Sequence, residues 1–283
     1  MSAPLLSSGE LASNSESMIA ITFLGDDDSN CLAPISLALQ QSCPNSTIEI
    51  LENDEEKPLF IFQDSTLIGS VMFMDLPAPL HEADPEIRNV WFWPTAWEEI
   101  SQHRSHIIVT IFGKGSAKQK ALTLQRTLRS ILTSVTSAIG VAFPSSGTLL
   151  PTSMALPVLD NKSEIAVPLF ISCFFAKENM SRFPTPSIFC STEGFGNFGL
   201  KNVEARGFPG TRRDLHEFML AFATYLIEHR AEVKDGDTVG PGEQKIIVKI
   251  EKSLFRKNQV YSLYFQKMTW RTKLCAFLFG NRP

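Results

Sequence analysis

Two long stretches of the chain repeat their apolar residues with the period of an α-helix. Residues 211–231 place apolar side chains three or four positions apart, which predicts a helix with one buried face. Its predicted buried stripe is Leu215, Phe218, Met219, Phe222, Ala223, Leu226 and Ile227. His216 and His229 fall outside this stripe and are predicted to face solvent. Thr211 and Asp214 have the spacing of a helix cap.

The second periodic stretch predicts a helix from a cap at Ser116 to a stop at Gly140. Its basic residues, Lys120 among them, are predicted to form a solvated face. Two shorter helices are predicted over residues 31–43 and 95–103, the latter with Thr95 and Glu98 at capping-box spacing.

Shorter apolar runs bounded by turn residues predict β-strands. These runs cover residues 17–25, 46–51, 58–63, 67–76, 106–113, 164–178, 244–251 and 259–267, and residues 191–207 predict a strand pair. Most neighbouring strands are joined by turns, so repeated βα units are few. The pattern predicts an α+β fold, mainly antiparallel sheet with packed amphipathic helices.

A Pro/Ser-rich stretch at residues 144–163 suggests a division of the chain into two lobes. On this interpretation residues 18–143 form an N-terminal α+β lobe and residues 164–266 a C-terminal α+β lobe. No residue-level repeat relates the halves, and the length of 283 residues also suits one large domain. Residues 1–17 are Ser-rich and predict a disordered leader without the features of a secretory signal.

The last segment, residues 267–283, predicts a basic amphipathic tail. Its apolar stripe is short, and its few positive charges attract anionic lipid only weakly. We therefore expect the tail to pack on its own domain or on a partner, without stable membrane anchoring.

Composition narrows the class of protein. The hydrophobic share of 43% and the charged share of 20% are ordinary for a globular protein. A formal charge of −4 gives no electrostatic reason to expect nucleic acid as a partner. Five widely spaced cysteines without a C-x-x-C pair indicate reduced thiols, and hence a cytoplasmic protein.

Residues Gly194 to Gly199 fit the dinucleotide-binding pattern G-x-G-x-x-G. That pattern binds a cofactor only where its last glycine opens a helix. Here Gly207 and Pro209 interrupt the following segment, and the next predicted helix begins only at Thr211. We predict a turn and no cofactor.

An aromatic and basic segment is the candidate surface for a ligand or partner. Its residues are Trp91, Trp93, Trp97, His103, Arg104 and His106. Aromatic walls with a few polar groups are typical of small-molecule sites. The alternative is that the three tryptophans pack in the hydrophobic core. The two histidines lack a third ligand at a fixed spacing, so no metal is predicted.

Two acidic runs form a second candidate interaction surface. They consist of Asp26, Asp27 and Asp28, and of Asp54, Glu55 and Glu56. Acidic surfaces speed encounter with a basic partner. The first run also suits the start of the helix that follows it.

Three segments together resemble a known bacterial family, domain of unknown function 4261. They are "WFWPTAWEEISQHRSHIIVTI", "SAIGVAF" and the stretch from Ser191 to Gly240, which carries the glycine turn, the amphipathic helix and an Asp-Gly turn. The resemblance extends over about Ile19 to Ile250. It implies a bacterial cytosolic protein and hints at immunity against a toxin, and it brings no catalytic residues.

We therefore expect a non-enzymatic binding protein, with an immunity protein that neutralises a toxin or effector as its specific form. The alternative is a hydrolase or transferase with a small-molecule site near Trp91–His106.

Overall fold

The computed structural model describes residues 17–25, 31–43, 46–53, 56–64, 67–160, 164–178, 187–229, 231–240 and 246–265, with the backbone alone over 50–66. The predicted tail and Asp26–Asp28 lie outside these residues, as does the predicted leader except Ser17, which opens the first strand. Among the described residues, no helix is long and apolar enough to cross a membrane.

The first sheet has seven strands, all paired antiparallel. In chain order they are β1 (Ser17–Leu24), β2 (Thr47–Asn53), β3 (Glu56–Asp64), β4 (Leu67–Met74), β5 (Ser105–Gly113), β6 (Ala138–Phe143) and β7 (Thr148–Pro151). Their order across the sheet is β2-β3-β4-β5-β1-β6-β7.

The second sheet has six strands in the order β11-β12-β13-β10-β9-β8. They are β8 (Ser172–Glu178), β9 (Ser187–Glu193), β10 (Val203–Phe208), β11 (Thr238–Val239), β12 (Ile246–Lys252) and β13 (Gln259–Tyr264). Only β10 and β13 pair in parallel. The α+β fold with mainly antiparallel sheet is thus confirmed.

Seven α-helices are found in the described part of the chain. They are α1 (Leu32–Ser42), α2 (Pro85–Asn89), α3 (Ala96–Ile100), α4 (Ala117–Ser134), α5 (Thr152–Leu159), α6 (Val167–Phe170) and α7 (Arg212–His229). The predicted caps of the two long helices are confirmed. Ser116 and Gln119 form a capping box on α4, and Asp214 accepts from both the N–H and the hydroxyl of Thr211.

One continuous hydrophobic core joins the two sheets. In the first sheet, alternate residues of β1 and β5 enter it beneath α1 and α4. In the second, α7 buries all seven residues of its predicted stripe in the core that also contains Ala205 of β10 and Leu263 of β13. Because helix side chains three and four apart share a face, this stripe follows directly from the sequence.

Several sequence predictions were wrong in their details. The helix predicted to reach Gly140 ends at Ser134, because residues 138–143 pair as β6 with both β1 and β7. Lys120, predicted to face solvent, is buried. The Thr95 hydroxyl donates to Glu99 and does not cap the helix backbone.

Four short elements, β7, α5, α2 and α6, lie where the sequence predicted a different structure or none. The segment predicted as a Pro/Ser-rich crossing contains β7 and α5. Helix α2 lies between the predicted strand at 67–76 and the predicted helix at 95–103, where no element was predicted. The strand predicted to begin at Glu164 is instead α6 followed by β8. Each element is too short to show a clear hydrophobic period.

A charged network is buried on the face of the second sheet that points away from α7. Glu204 is fully buried and accepts from the hydroxyl of Ser253 at 2.5 Å. The Arg206 guanidinium lies 2.9 Å from the carboxylate of Glu204 and 3.2 Å from that of Glu251. The Tyr264 hydroxyl donates to Glu251, and burial together with this carboxylate raises the pKa of Tyr264 to about 12. Arg206 is therefore the cation that compensates a buried carboxylate.

We expect Arg206→Met to lower the free energy of unfolding by about 3–5 kcal/mol, because Glu204 would stay buried without its cation. The control is Arg129→Met, which breaks an exposed pair with Asp160 and costs about 1 kcal/mol or less. Urea unfolding followed by circular dichroism measures both. Equal losses of unfolding free energy in the two variants would show that the buried Arg206–Glu204 pair stabilises the fold no more than an exposed pair does.

Candidate functional site

A concave cleft of about 280 Å³ opens where elements of the two sheets meet. One wall comes from residues 89–92, residues 147–150 and α5. The other comes from residues 171–173 and α7, and Pro168 also lines the cleft. Ligand sites are concave and mostly apolar, and this volume is near the lower end of their range. The cleft is therefore the candidate functional site.

The α7 wall is built by a second helical stripe beside the core stripe. Its members are Arg213, His216, Glu217 and Leu220, which line the cleft. Arg213 and Glu217 form an ion pair one turn apart, with Nε and Oε1 separated by 3.1 Å. Both side chains are exposed, so the pair gives the cleft a polar rim and little stability.

An aromatic cluster joins this wall to the turn after α2. The Trp91 ring lies 5.7 Å from the His216 ring and 6.4 Å from the Phe175 ring, each edge to face. The Arg212 guanidinium lies 5.8 Å from the centres of the Trp91 and Phe175 rings. Such aromatic and cation–π contacts hold Trp91 against α7 and fix the position of the turn.

His216 is half-buried, so the prediction that it faces solvent was wrong. Its sector of α7 borders the core stripe, and Trp91 and Phe175 cover it from outside. Burial lowers the pKa of the imidazole from its ordinary 6.5, while the neighbouring Glu217 carboxylate raises the pKa in part. The cleft thus contains an imidazole biased toward its neutral form.

Two polar side chains in the cleft, those of Asn89 and Ser172, are hydrogen-bonded to the backbone. The Asn89 side-chain amide donates to the carbonyl of Cys173 at 2.8 Å. The Ser172 hydroxyl donates to the carbonyl of Ser146. An activated nucleophile would instead donate to a base. These groups therefore shape the cleft and are not arranged for nucleophilic attack.

Of the six residues predicted as a ligand surface, Trp91 lines the cleft. Trp93 is buried in a second hydrophobic cluster with Phe23, and Trp97 packs against that cluster. Two of the three tryptophans thus occupy the core, and one faces the candidate site.

The remaining three predicted residues lie away from the cleft. His103 is buried, accepting from the Ala78 N–H at 2.6 Å through Nε2 and donating to the Ile100 carbonyl at 2.5 Å through Nδ1. His106 is also buried, with Nδ1 2.8 Å from the Leu76 carbonyl. Arg104 is exposed.

Two further predictions from the sequence concern metal binding and an acidic surface. Within the described ranges, no group of three His, Cys, Asp or Glu side chains could hold a metal ion. Asp54 and Glu55, like the acidic run before α1, lie outside those ranges, and for Glu56 only the backbone is described. The acidic surface stays a prediction.

The glycine motif forms a tight turn between two strands. Gly194 and Gly199 have φ angles of 105° and 70° on either side of a 3-10 turn, Phe195–Phe198. Strand β10 follows, and no helix opens at Gly199. A Cβ at Gly194 would lie 1.9 Å from the Phe170 carbonyl oxygen. The glycines serve this close approach and the left-handed backbone, and the predicted turn is confirmed.

Residues 191–264 match the family described as Domain of unknown function (DUF4261). The similarity to this family is shown for that segment. The match confirms the resemblance inferred from the sequence, over a range that includes β10, α7 and β12. No curated protein and no solved structure matches the chain.

Sequence reasoning missed most of the cleft. The spacing of Arg213, Glu217 and Leu220 was an available signal, because it places them on one face beside the core stripe. No comparable signal marks Gly147–Leu150 or α5, since their place beside α7 depends on the packing of the two sheets.

We expect Gly194→Ala to lower the free energy of unfolding by more than about 2 kcal/mol, because it combines a positive φ with a steric overlap. Gly196→Ala is the matched control, since a Cβ there meets nothing within 4 Å. Thermal and urea unfolding measure the difference. Comparable stability of the two variants would contradict the close approach at Phe170.

The pKa of His216 makes a prediction about pH. Burial lowers the pKa of His216 in the folded state. The neutral imidazole therefore contributes stability that is fully present above the unfolded-state pKa. This contribution is lost as the pH falls through the folded-state pKa. NMR titration should give His216 a midpoint below 6.5, and His216→Gln should unfold with a weaker pH dependence below that value. His229→Gln, at the exposed end of the same helix, is the control. A midpoint at or above 6.5 would refute a buried imidazole.

Proposed function

We propose that this protein is a non-enzymatic binding protein whose cleft receives an apolar part of a protein partner. The observation that carries the proposal is the character of the cleft. Leu149, Leu150, Val158 and Leu220 give it apolar walls, and the Arg213–Glu217 pair gives it a charged rim. An apolar pocket within a polar rim is typical of the anchor sites that dominate protein interfaces.

The hydrogen bonding in the cleft favours binding over catalysis. Asn89 and Ser172 are engaged with backbone carbonyls, and His216 packs against Trp91 and Phe175. Groups held in this way give the cleft a fixed shape. A preformed shape lowers the entropic cost of ordering a site when a partner binds.

The partner we favour is a basic toxin or effector, which makes the protein a bacterial immunity protein acting in the cytoplasm. The formal charge of −4 supports association with a basic partner. The resemblance found in the sequence, which hints at immunity against a toxin, favours the same role. Binding alone would suffice for such a protein to block its target.

A small-molecule hydrolase or transferase is the second candidate. The observation that favours it is His216, an imidazole biased toward its neutral form in a cleft beside Trp91. A neutral imidazole is suited to act as a general base. Saturable turnover that disappears in His216→Gln would favour this candidate over a purely binding role.

Co-expression with the product of the adjacent gene tests the favoured function. We expect a complex that survives gel filtration, and we expect Trp91→Ala and Met154→Ala to weaken it by at least about 30-fold, the effect of losing an interface anchor. Met154 is exposed at the cleft, so its truncation leaves the fold intact. Leu37→Ala, at an exposed site on α1, is the control and should bind as the wild type does.

Two outcomes would count against this proposal. Separate elution of the wild-type proteins at micromolar concentration would exclude that gene product as the partner. A complex unaffected by both cleft substitutions would place the interface elsewhere.

A further inference from the structure

The hairpin loop between β12 and β13, residues 253–258, exposes two neighbouring apolar side chains. Leu254 is 54% exposed and Phe255 is 67% exposed, and no other large apolar side chain of the described residues is as exposed as Phe255. Single exposed apolar side chains are ordinary on protein surfaces. An adjacent pair on one loop is instead a contiguous apolar surface that the fold leaves unburied.

Hydrogen bonds fix the backbone of the hairpin loop. The Leu254 N–H donates to the buried carboxylate of Glu204 at 3.2 Å. The Ser253 hydroxyl donates to the same carboxylate and accepts from the N–H groups of Phe255 and Arg256, each at 3.1 Å. The charged network buried in the second sheet therefore supports the loop, and the fold itself determines which of its side chains are exposed.

Two side chains of the hairpin loop contact the sheet beneath it. The Phe255 ring lies 5.2 Å from the ring of Phe189, which is buried. The Arg256 guanidinium pairs with the Glu193 carboxylate, with Nε and Oε1 2.5 Å apart. Phe255 thus contacts the sheet while most of its surface stays exposed.

Positive charge surrounds the apolar pair. Lys252 precedes the hairpin loop and Lys257 lies within it, and both are exposed without an ion pair to another described residue. Lys249 on β12 is exposed as well. The acids that contact the loop, Glu193 and Glu204, each have an arginine partner. The surface of the loop is therefore basic, although the whole chain has a formal charge of −4.

We propose that the hairpin loop binds the surface of an anionic lipid bilayer. Leu254 and Phe255 enter the boundary between headgroups and acyl chains, where the apolar side chains of interfacial segments lie. Lys252 and Lys257 lie among the lipid phosphates, because their long side chains keep the ammonium groups in the polar layer beside an inserted apolar pair. Two apolar side chains and a few cations give a reversible contact and not a stable anchor.

The composition of the loop favours a bilayer over a protein partner. Lysine is depleted in protein interfaces, whereas clusters of cations attract anionic lipid. Two apolar side chains also offer far less than the roughly 800 Å² that each partner buries in a standard protein interface. A bilayer needs neither that area nor a complementary shape, since lipids close around an inserted side chain.

The hairpin loop is separate from the cleft. None of its residues lines the cleft. Contact with a bilayer therefore positions the protein at a membrane without filling the site proposed for a protein partner. The inference goes beyond the proposed function and does not depend on it.

Vesicle flotation of the full chain tests this contact. We expect binding to mixed phosphatidylglycerol and phosphatidylcholine vesicles, weaker binding as salt rises, and none to phosphatidylcholine alone. Phe255→Ser removes the larger inserted side chain and Lys257→Glu reverses a charge, and each should lower the partition coefficient at least about 10-fold. Leu37→Ser is the matched control, because Leu37 on α1 is 58% exposed and its loss should leave vesicle binding unchanged.

Circular dichroism checks that the loop variants keep the wild-type fold, and Lys257→Glu changes a side chain without an ion pair. A wild type that does not bind the anionic vesicles would overturn the inference, as would binding that persists in both loop variants. In the first case, loss of the complex with the adjacent gene product in both variants would identify the loop as a protein contact. In the second, loss of vesicle binding on deletion of residues 267–283 would assign the contact to the tail.

Discussion

The relation of the two sheets depends on how one short stretch of backbone, residues 164–166, is hydrogen-bonded within the core. The Gln125 side chain on α4 donates to the Glu164 carbonyl at 3.1 Å and accepts from the Ala166 N–H at 2.9 Å. Glu228 on α7 accepts from the Ile165 N–H, at 3.3 Å. Buried backbone groups without partners would cost about 1–3 kcal/mol each. One helix from each layer therefore holds the chain where it passes from the first sheet to the second.

The cleft follows from this fixed crossing. Pro168 and Ile171 come directly after the held stretch and line the cleft, and β8 begins at its wall. One stripe of helix α7 packs in the core, and the neighbouring stripe of the same helix faces the cleft. Trp91 closes the gap between this second stripe and the first sheet. The site is thus a cleft between two packed layers.

The sequence predicted those parts of the fold that local patterns determine. All seven core positions of α7 were predicted, because a long helix repeats its burial pattern several times. The end of α4 was not, since Ile139 continues the helical spacing and yet lies in β6. Pairing of β6 with strands distant in sequence decided its conformation. For the same reason, the sequence showed three tryptophans without showing that only Trp91 faces the cleft.

The family match adds a distinction between the two walls of the cleft. Residues 191–264 contain α7, and so the stripe of Arg213, His216 and Leu220. The facing wall, residues 89–92 and 147–150 with α5, lies outside the matched segment. The matched segment therefore covers most of the second sheet, α7 and the α7 part of one wall, but neither β8 nor residues 171–173. Under the proposed binding role, selection of a partner would depend equally on the facing wall, because a pocket selects by the fit of all its sides. Under the same proposal, substitutions in the facing wall would alter the choice of partner while leaving the matched segment unchanged.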